Sequence, residues 1–294
     1  MTKINLSVAL IVKNEEDRLP ATLKAIHDIA SEIIVVDCGS TDKTIEIAKN
    51  FNAKIYFHPW EGFAKQKNYL TQLCTCSWIL FLDADEVITD KLREEIIKTI
   101  SLNQDFGYAI NRKVFYLGRI LHYSWQKNYR LRLVKKDQSP KWIGSHVHEE
   151  LTITQPTKKL RNHLIHFSYR NINDHFSRTV TYAKLSALDY YEQKKSSSIT
   201  KIIVKPLFSF FRSYFLKLGL LDGFPGLIAS ISSSFYTFLK YSILYELQNK
   251  SNAKYHSRIS DHGKDMCYWC WLCWSFLSHP LSSEKFCSCF RNRY

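Results

Sequence analysis

Trp78-Ile79-Leu80-Phe81-Leu82-Asp83-Ala84-Asp85 decides how this chain is read. Five consecutive apolar residues predict a strand buried on both faces, because a half-exposed strand would alternate with polar residues. Two carboxylates follow at its end. In an extended segment residues i and i+2 share a face, so Asp83 and Asp85 are expected to be presented together where the strand leaves its sheet. Convergent carboxylates repel one another unless a cation lies between or beside them. A divalent ion carrying a diphosphate meets that need. Acidic turns after strands are common, so the motif draws its weight from the residues around it.

Upstream, Ile4–Val12, Ile33–Val36 and Lys54–Phe57 predict three more strands. Leu23, Ile26 and Ile29 give Pro20–Ile29 a helical spacing, and Thr44–Asn50 and Ala64–Cys74 predict helices between the later strands. Thr89–Ile100 continues the alternation with Leu92, Ile96, Ile97 and Ile100 on one side. The expected fold class is α/β, with a mostly parallel sheet covered by helices on both faces. Ligands in such sheets bind beyond the carboxyl ends of the strands. Asn14, Glu15, Asp37, Asp83 and Asp85 all fall at such ends. No G-x-G-x-x-G follows the first strand and no Walker A motif occurs, so phosphate binding is expected to lean on a metal. Residues 107–170 read as an α+β continuation, with short strands at Tyr123–Trp125 and Leu131–Val134. A polar loop from Gly144 to Glu150 runs into a further strand at Leu151. From Asn173 onward the chain reads as helical.

The chain has 294 residues, is 45% hydrophobic and carries a formal charge of +14. That size supports one large or two modest domains with a real core. The charge implies an anionic partner. It is uneven: no Asp or Glu occurs between Gly107 and Lys136, between Leu151 and Asn173, or between Gln193 and Leu221. An acid-poor second half suits a membrane-facing portion better than an evenly basic nucleic-acid binder. No helix-turn-helix, zinc-finger or RNP-like pattern occurs, so nucleic acid is not an expected partner. No signal peptide is read at the N-terminus. The eight cysteines do not form a secreted disulfide pattern, and a reducing, cytoplasmic compartment is expected.

Leu6–Val12 with Lys13-Asn14-Glu15-Glu16, then Ile33–Thr44 with Asp37-Cys38-Gly39-Ser40-Thr41-Asp42, then Phe81–Glu86, together resemble glycosyltransferase family 2. Within it, His58–Asn68, Val147-His148-Glu149 and Leu220-Leu221-Asp222-Gly223 resemble the lipopolysaccharide core β-1,4-glucosyltransferase group. The resemblance spans roughly residues 4–248 and is most specific over the first hundred. It implies a GT-A fold, a nucleotide-sugar donor such as UDP-glucose, a divalent metal (Mg²⁺ or Mn²⁺) and inversion at the anomeric carbon. Its acceptor would be a lipopolysaccharide core sugar such as heptose. Residue by residue, Asn14, Glu15 and Asp37 match nucleotide contacts, and Lys67 and Asn68 a basic–Asn pair near the uracil. Asp83 matches the ribose-side or water-mediated contact, and Asp85, with Asp83 beside it, the metal ligand reaching the diphosphate.

The chemistry needs a carboxylate to take the acceptor proton. Glu149 is the candidate base and Glu150 the next, although both could simply solvate a loop. Asp37 could instead cap the Gly39–Asp42 turn, and Lys67 could be a solvated helix residue. Trp60 and Trp125 are candidates to stack on sugar, or core residues. His148 is a candidate substrate contact; paired with His146 at i, i+2 it lacks further ligands at a zinc spacing. Arg130 and Arg132 alternate toward one face, as phosphate-gripping guanidinium groups or as a basic surface. A transferase for another surface glycan or polyprenyl phosphate, and a catalytically inactive membrane-associated binding protein, remain as other readings.

Lys201–Leu218 sets Leu207, Phe208, Phe211, Phe215 and Leu218 on one helical side and Lys205, Ser209 and Arg212 on another. That predicts a basic amphipathic helix on an anionic membrane surface. Phe224–Leu239 is uncharged but short for a membrane span, and reads as re-entrant or buried. Peripheral membrane attachment is expected, with a packed helical core as the other reading, and the resemblance implies the cytoplasmic face of a bacterial inner membrane. The domain reading is a catalytic domain over 1–170, divided near 105 into nucleotide-sugar and acceptor halves, and a helical membrane-associated region over 171–250. A divergent Cys/Trp-rich tail over 251–294 follows, preferred to a metal site at Cys267, Cys270 and Cys273.

Overall fold

A computed structural model describes residues 3–125, 128–144 and 149–252. The first stretch alternates as its sequence predicts: β1 (Ile4–Val12), α1 (Leu19–Ile26), β2 (Ala30–Asp37), α2 (Thr44–Asn50), β3 (Lys54–Phe57), α3 (Phe63–Leu73) and β4 (Trp78–Asp83). β5 (Glu86–Ile88) and α4 (Asp90–Leu102) follow. β1 runs parallel to β2 on one side and to β4 on the other, and β2 runs parallel to β3. Pleating divides the apolar runs between two layers. Leu6, Val8, Leu10 and Val12 of β1 join Leu80, α1 (Leu19, Leu23, Ile26) and α4 (Leu92, Ile96) in one cluster. Ala9, Ile34, Val36, Ile79 and Phe81 face Leu70 of α3 and Trp142 in the other. Burial on both faces explains why these strands show no polar alternation.

The second stretch turns the sheet mixed. β6 (Gly107–Tyr116), β7 (Arg119–Ile120), β8 (Tyr129–Lys135), β9 (Lys141–Ile143), β10 (Glu150–Thr152) and β11 (Thr157–His166) follow. The main sheet runs β3-β2-β1-β4-β8-β6-β11-β5, with β7 paired to β6 and a separate β9–β10 pair. β8 is antiparallel to both β4 and β6, and β5 is antiparallel to β11. "Mostly parallel" therefore describes the first four strands, and the whole sheet is mixed.

Three further expectations change. Tyr123–Trp125 forms no strand; its backbone is in turns, because the carboxylate of Asp222 accepts the N–H groups of His122, Tyr123 and Ser124 that a ladder would need. The first helix ends at Ile26, and Ile29 is core packing outside it. The third concerns Asp83 and Asp85. β4 stops at Asp83, and Ala84 and Asp85 form the turn into β5. The i, i+2 rule holds only while the strand continues, so the two carboxylates part and meet different neighbours.

Helices α5 (Ile172–Glu192), α6 (Ile199–Phe211) and α7 (Gly223–Asn252) complete the described chain. A π-helical turn at Arg212–Leu216 and a 3₁₀ turn at Gly219–Asp222 join α6 to α7. The uncharged Phe224–Leu239 segment is the first part of one long helix. Its serines pack against α6 and the turn after it, where Ser209 Oγ of α6 donates to the Ser233 carbonyl (3.3 Å) and Ser230 Oγ to Ser213 Oγ of the turn (3.1 Å). On another side of α7, Ser232 meets the buried His175 of α5, which also pairs with the Tyr116 hydroxyl of β6. Burial without a charged partner in contact pushes that imidazole down to about 4, so it is neutral at pH 7. Residues up to Tyr245 belong to one compact unit.

Candidate active site

The parallel strands end on one edge, where Asp37 is in register with Val12 and Asp83 with Ile11. Asp37 accepts from the backbone N–H of Gly39 (2.9 Å) and from the Ser40 hydroxyl (2.5 Å), so it caps its own turn while holding that turn at the sheet edge. Asn14 takes a left-handed φ of 54°, a conformation Asn tolerates, and its Oδ1 accepts from the Thr41 N–H (2.8 Å). The loops after β1 and β2 are thereby tied together. Glu15 is gripped bidentately by Arg18, with Nε and Nη2 each 2.8 Å from a carboxylate oxygen. Burial, with Asp85 nearby, raises the Glu15 carboxyl above its ordinary value against the pull of Arg18.

Asp83 sits in a dense ion network. Arg132 Nη2 of β8 lies 2.6 Å from it, Lys67 Nζ of α3 3.2 Å, and Arg112 Nη1 of β6 3.5 Å. Behind it Glu86, fully buried, accepts from Arg112 (2.9 Å), from Arg132 (2.7 Å) and from the Asp83 N–H (3.0 Å). Burial alone would raise the Asp83 carboxyl; the three cations outweigh it and hold the group ionised, well below the usual range. Lys67 is only 4% exposed. It bridges from Asp83 to Glu149 Oε1 (3.2 Å) with its ammonium over the Trp142 ring. A solvated lysine would do neither. Asn68, one residue on, pairs both ways with the Trp142 backbone and fixes β9 against α3.

Lys67, Asp83, Arg112, Arg132, Trp142 and Glu149 line a cavity of about 290 Å³ together with Tyr129, Arg130, Glu150 and Leu151. Among its walls, Arg112 Nε and Arg132 Nε are buried and have no hydrogen-bond partner among the described residues. The guanidinium groups of Arg112, Arg130 and Arg132 and the Lys67 ammonium give the cavity a cation-rich wall, which suits an anionic ligand.

Asp85 faces elsewhere. His166 Nε2, at the end of β11, lies 3.4 Å from its Oδ2 and Arg18 Nη1 lies 3.3 Å from the same oxygen. Burial would raise the carboxyl, but the bond and charge of His166 and the charge of Arg18 bring it below its ordinary value, against Asp83. No group of three or more His, Cys, Asp or Glu converges among the described residues. A cation here would take Asp85 and His166 from the protein and the rest of its shell from phosphate and water. One carboxylate with phosphate and water is how Mg²⁺ usually binds, and the His166 nitrogen favours a first-row transition ion over Mg²⁺, so the donor set fits a divalent cation of that kind. Asp83 is already neutralised by three protein cations and is the poorer ligand of the two.

The family described as Glycosyl transferase family 2 matches residues 7–166. The chain belongs to glycosyltransferase family 2. A Rickettsia bellii (strain RML369-C) protein described as an uncharacterized glycosyltransferase is 30% identical over 259 residues, covering 84% of this chain and 88% of its own length. The lipopolysaccharide core biosynthesis glycosyltransferase LpsC of Rhizobium meliloti (strain 1021) is 26% identical over 256 residues, covering 83% and 93% respectively. Among solved structures, S. aureus TarS 1-349 in complex with UDP aligns over 84% of this chain and 92% of its own at 13% identity and a TM-score of 0.44.

This family 2 glycosyltransferase thus gathers Lys67, Asp83, Arg130, Arg132, Glu149 and Glu150 at one cavity, while Asn14, Glu15, Asp37 and Asp85 hold the adjoining edge. Trp60 lies outside both, half exposed and edge-on to Phe63. Trp125 packs with Tyr116, Tyr169 and His175, and its indole N–H donates to Ser233. Its other side lines a smaller cavity with Asn111 and His122. His146 and His148, and the cysteines of the tail, lie outside the described residues. Sequence reading missed Arg18, Glu86, Arg112 and His166. Glu86 adjoins the Asp83-Ala84-Asp85 motif, and Arg112 and His166 are polar residues within acid-poor strands, which was the available signal.

Proposed function

We propose that this glycosyltransferase moves a hexose, glucose from UDP-glucose, with inversion onto a lipopolysaccharide core sugar such as heptose, assisted by a divalent metal. The observation that carries the reading is the Lys67 bridge, which places the donor-side Asp83 and the candidate base Glu149 on one cavity. The name of the LpsC relative supports the acceptor class. In the reaction, the acceptor oxygen forms a bond to C1 of the sugar as the C1–O bond to the diphosphate breaks. The electron pair leaves with the β-phosphate oxygen, and the hydroxyl proton passes to a Glu149 carboxylate oxygen. Lys67 stays between Glu149 and Asp83 and offsets the repulsion between the two carboxylates. Arg112 and Arg132 orient Asp83 and add positive charge to the wall that would face the phosphates. A divalent metal held by Asp85 and His166 would supply Lewis-acid neutralisation of the charge growing on the leaving diphosphate.

The test is calorimetric titration of UDP-glucose with and without Mn²⁺, on wild type and Asp85→Ala. Metal-dependent binding that disappears in Asp85→Ala supports the reading. Folded wild type that binds no UDP-sugar sinks the UDP-glucose assignment. Glu149→Gln should bind donor like wild type while kcat toward a heptose-terminated core oligosaccharide falls by about 10²–10⁴-fold. Unchanged kcat in that variant removes Glu149 as the base.

A further inference from the structure

The helical segment beyond β11 carries an apolar surface that no described part of the chain covers. Along α6 and the turn after it, Ile203, Val204, Leu207, Phe208, Phe211 and Phe215 recur at helical spacing and are all exposed. The inner side of α6 is used differently: Pro206 is buried, and Ser209 meets α7. The exposure continues around the bend, with Leu216 at 62%, Leu221 at 50% and Phe224 at 63%. Water-facing leucine and phenylalanine over three helical turns and a bend is far more than scattered surface apolarity, and marks an interaction surface.

The charge beside it identifies what it meets. Residues 193–221 contain Lys194, Lys195, Lys201, Lys205, Arg212 and Lys217 and no Asp or Glu. Lys205, Arg212 and Lys217 are exposed among the apolar residues. A second copy of this chain would bring the same unbalanced positive charge to the contact. Nucleic acid would neutralise the charge and leave the aliphatic side chains in water. An anionic phospholipid bilayer satisfies both, accepting apolar groups below its headgroups and cations at them.

The bend is also built to be stiff. The described helices on either side meet at 68°, and neither alone is long and apolar enough to cross a membrane, although the pair together would pass by length and composition. Within the bend, a Cβ at Gly226 would lie 2.0 Å from the Gly219 carbonyl oxygen, and one at Gly219 would lie 2.8 Å from that of Ser213. No side chain fits either place. Asp222, only 1% exposed, accepts from the backbone N–H groups of His122 (2.8 Å), Tyr123 (3.0 Å) and Ser124 (2.6 Å). The bend is therefore fastened to the chain that leads from β7 into β8, the strand that brings Arg130 and Arg132 to the cavity.

We infer that the α6–α7 bend is a rigid wedge that inserts its apolar side chains into one leaflet of an anionic phospholipid bilayer, fastened to the catalytic fold through Asp222. The wedge does not depend on the donor or acceptor assigned above. It is tested by sedimenting the full chain with vesicles of phosphatidylethanolamine and phosphatidylglycerol, and with vesicles of phosphatidylcholine alone. The wild type should pellet with the anionic vesicles, resist a high-salt wash, and bind phosphatidylcholine at least about tenfold more weakly. Leu216→Ser/Phe224→Ser and Lys205→Glu/Arg212→Glu should each lower partitioning by about tenfold or more. Circular-dichroism melting should match wild type in both, which separates lost docking from lost folding. A wild type that stays in the supernatant overturns the inference. So do variants that melt normally and sediment like wild type, and release of the wild type by salt alone, which would leave only surface charge. A concentration-dependent dimer by ultracentrifugation, lost in Leu216→Ser/Phe224→Ser without any vesicle binding, would reassign the surface to a second copy.

Discussion

The two halves of the sheet handle polarity in opposite ways. In β1, β2 and β4 the strand interiors are apolar on both faces apart from the buried Ser7–Glu32 pair, and the other carboxylates and amides are held to the strand ends. In the half built from β5, β6, β8 and β11, charge enters the sheet itself: Glu86, Arg112 and Arg132 are carried on strands and meet behind Asp83. The first half places chain ends with apolar packing, which is strong but undirected. The second places charges with charges, which is directional and leaves no slack, because each partner is desolvated at a cost met only by the others. The cavity forms where the two meet.

Truncating Glu86 should break the second half most severely. Glu86→Ala leaves two largely buried arginines sharing only Asp83, and should destabilise by about 3–5 kcal/mol, read as a fall in the urea midpoint. A loss under ~1 kcal/mol would mean the buried pairs contribute little and the contrast between the halves is wrong. In the first half, Leu80→Ala removes a fully buried side chain opposite Val8 and Leu133. It should cost about 3 kcal/mol, within the range for leaving a core cavity, and should leave donor affinity unchanged. Parallel loss of affinity would show that apolar packing also sets the site.

Glu32 sharpens the comparison, since it is a buried carboxylate inside the apolar half. Burial opposes its charge, yet hydrogen bonds from Lys54, Ser7 and Thr75 draw it from 4.5 down to about 2. A lowered carboxyl pKa adds stability that is complete above pH 4.5 and is lost as pH falls toward 2. That contribution is at most about 3 kcal/mol. Glu32→Gln should therefore be less stable than wild type at pH 7, with the gap closing between about pH 4.5 and about pH 2 in parallel denaturant titrations. A gap independent of pH would assign the effect to packing. The smallest effect belongs to Asp90, 86% exposed in its pair with Arg93. Asp90→Asn should shift stability by less than ~0.5 kcal/mol, and a larger shift would give surface pairs a weight this fold reserves for buried ones.

β1, β2 and β4 were legible because burial on both faces leaves a nearly continuous apolar run, and the edge strand β3 because it is short and apolar between its flanking helices. β1 and β3 have the bounds read from the sequence, as does α2. Asp83, Lys67, Glu149 and Arg132 were legible as candidates, since polar residues at strand ends stand out against apolar runs. The partners Arg18, Glu86, Arg112 and His166 were not, because ion pairing carries no periodicity and joins residues far apart in the chain, His166 and Asp85 being 81 positions apart. Trp125 shows the same limit. An aromatic in a polar loop reads alike whether it faces a sugar or, as here, packs with Tyr116, Tyr169 and His175.

By itself the sequence determined the α/β alternation, the edge on which polar residues collect, and the basic amphipathic character of Lys201–Leu218, because hydrophobic period and local charge are properties of neighbouring residues. Only the tertiary structure decided that Asp83 and Asp85 part company, that Lys67 bridges to Glu149, and that Asp222 fastens the helical bend to the β7–β8 connection. Those outcomes depend on where a strand stops and which distant charges are desolvated together, and no local pattern encodes either.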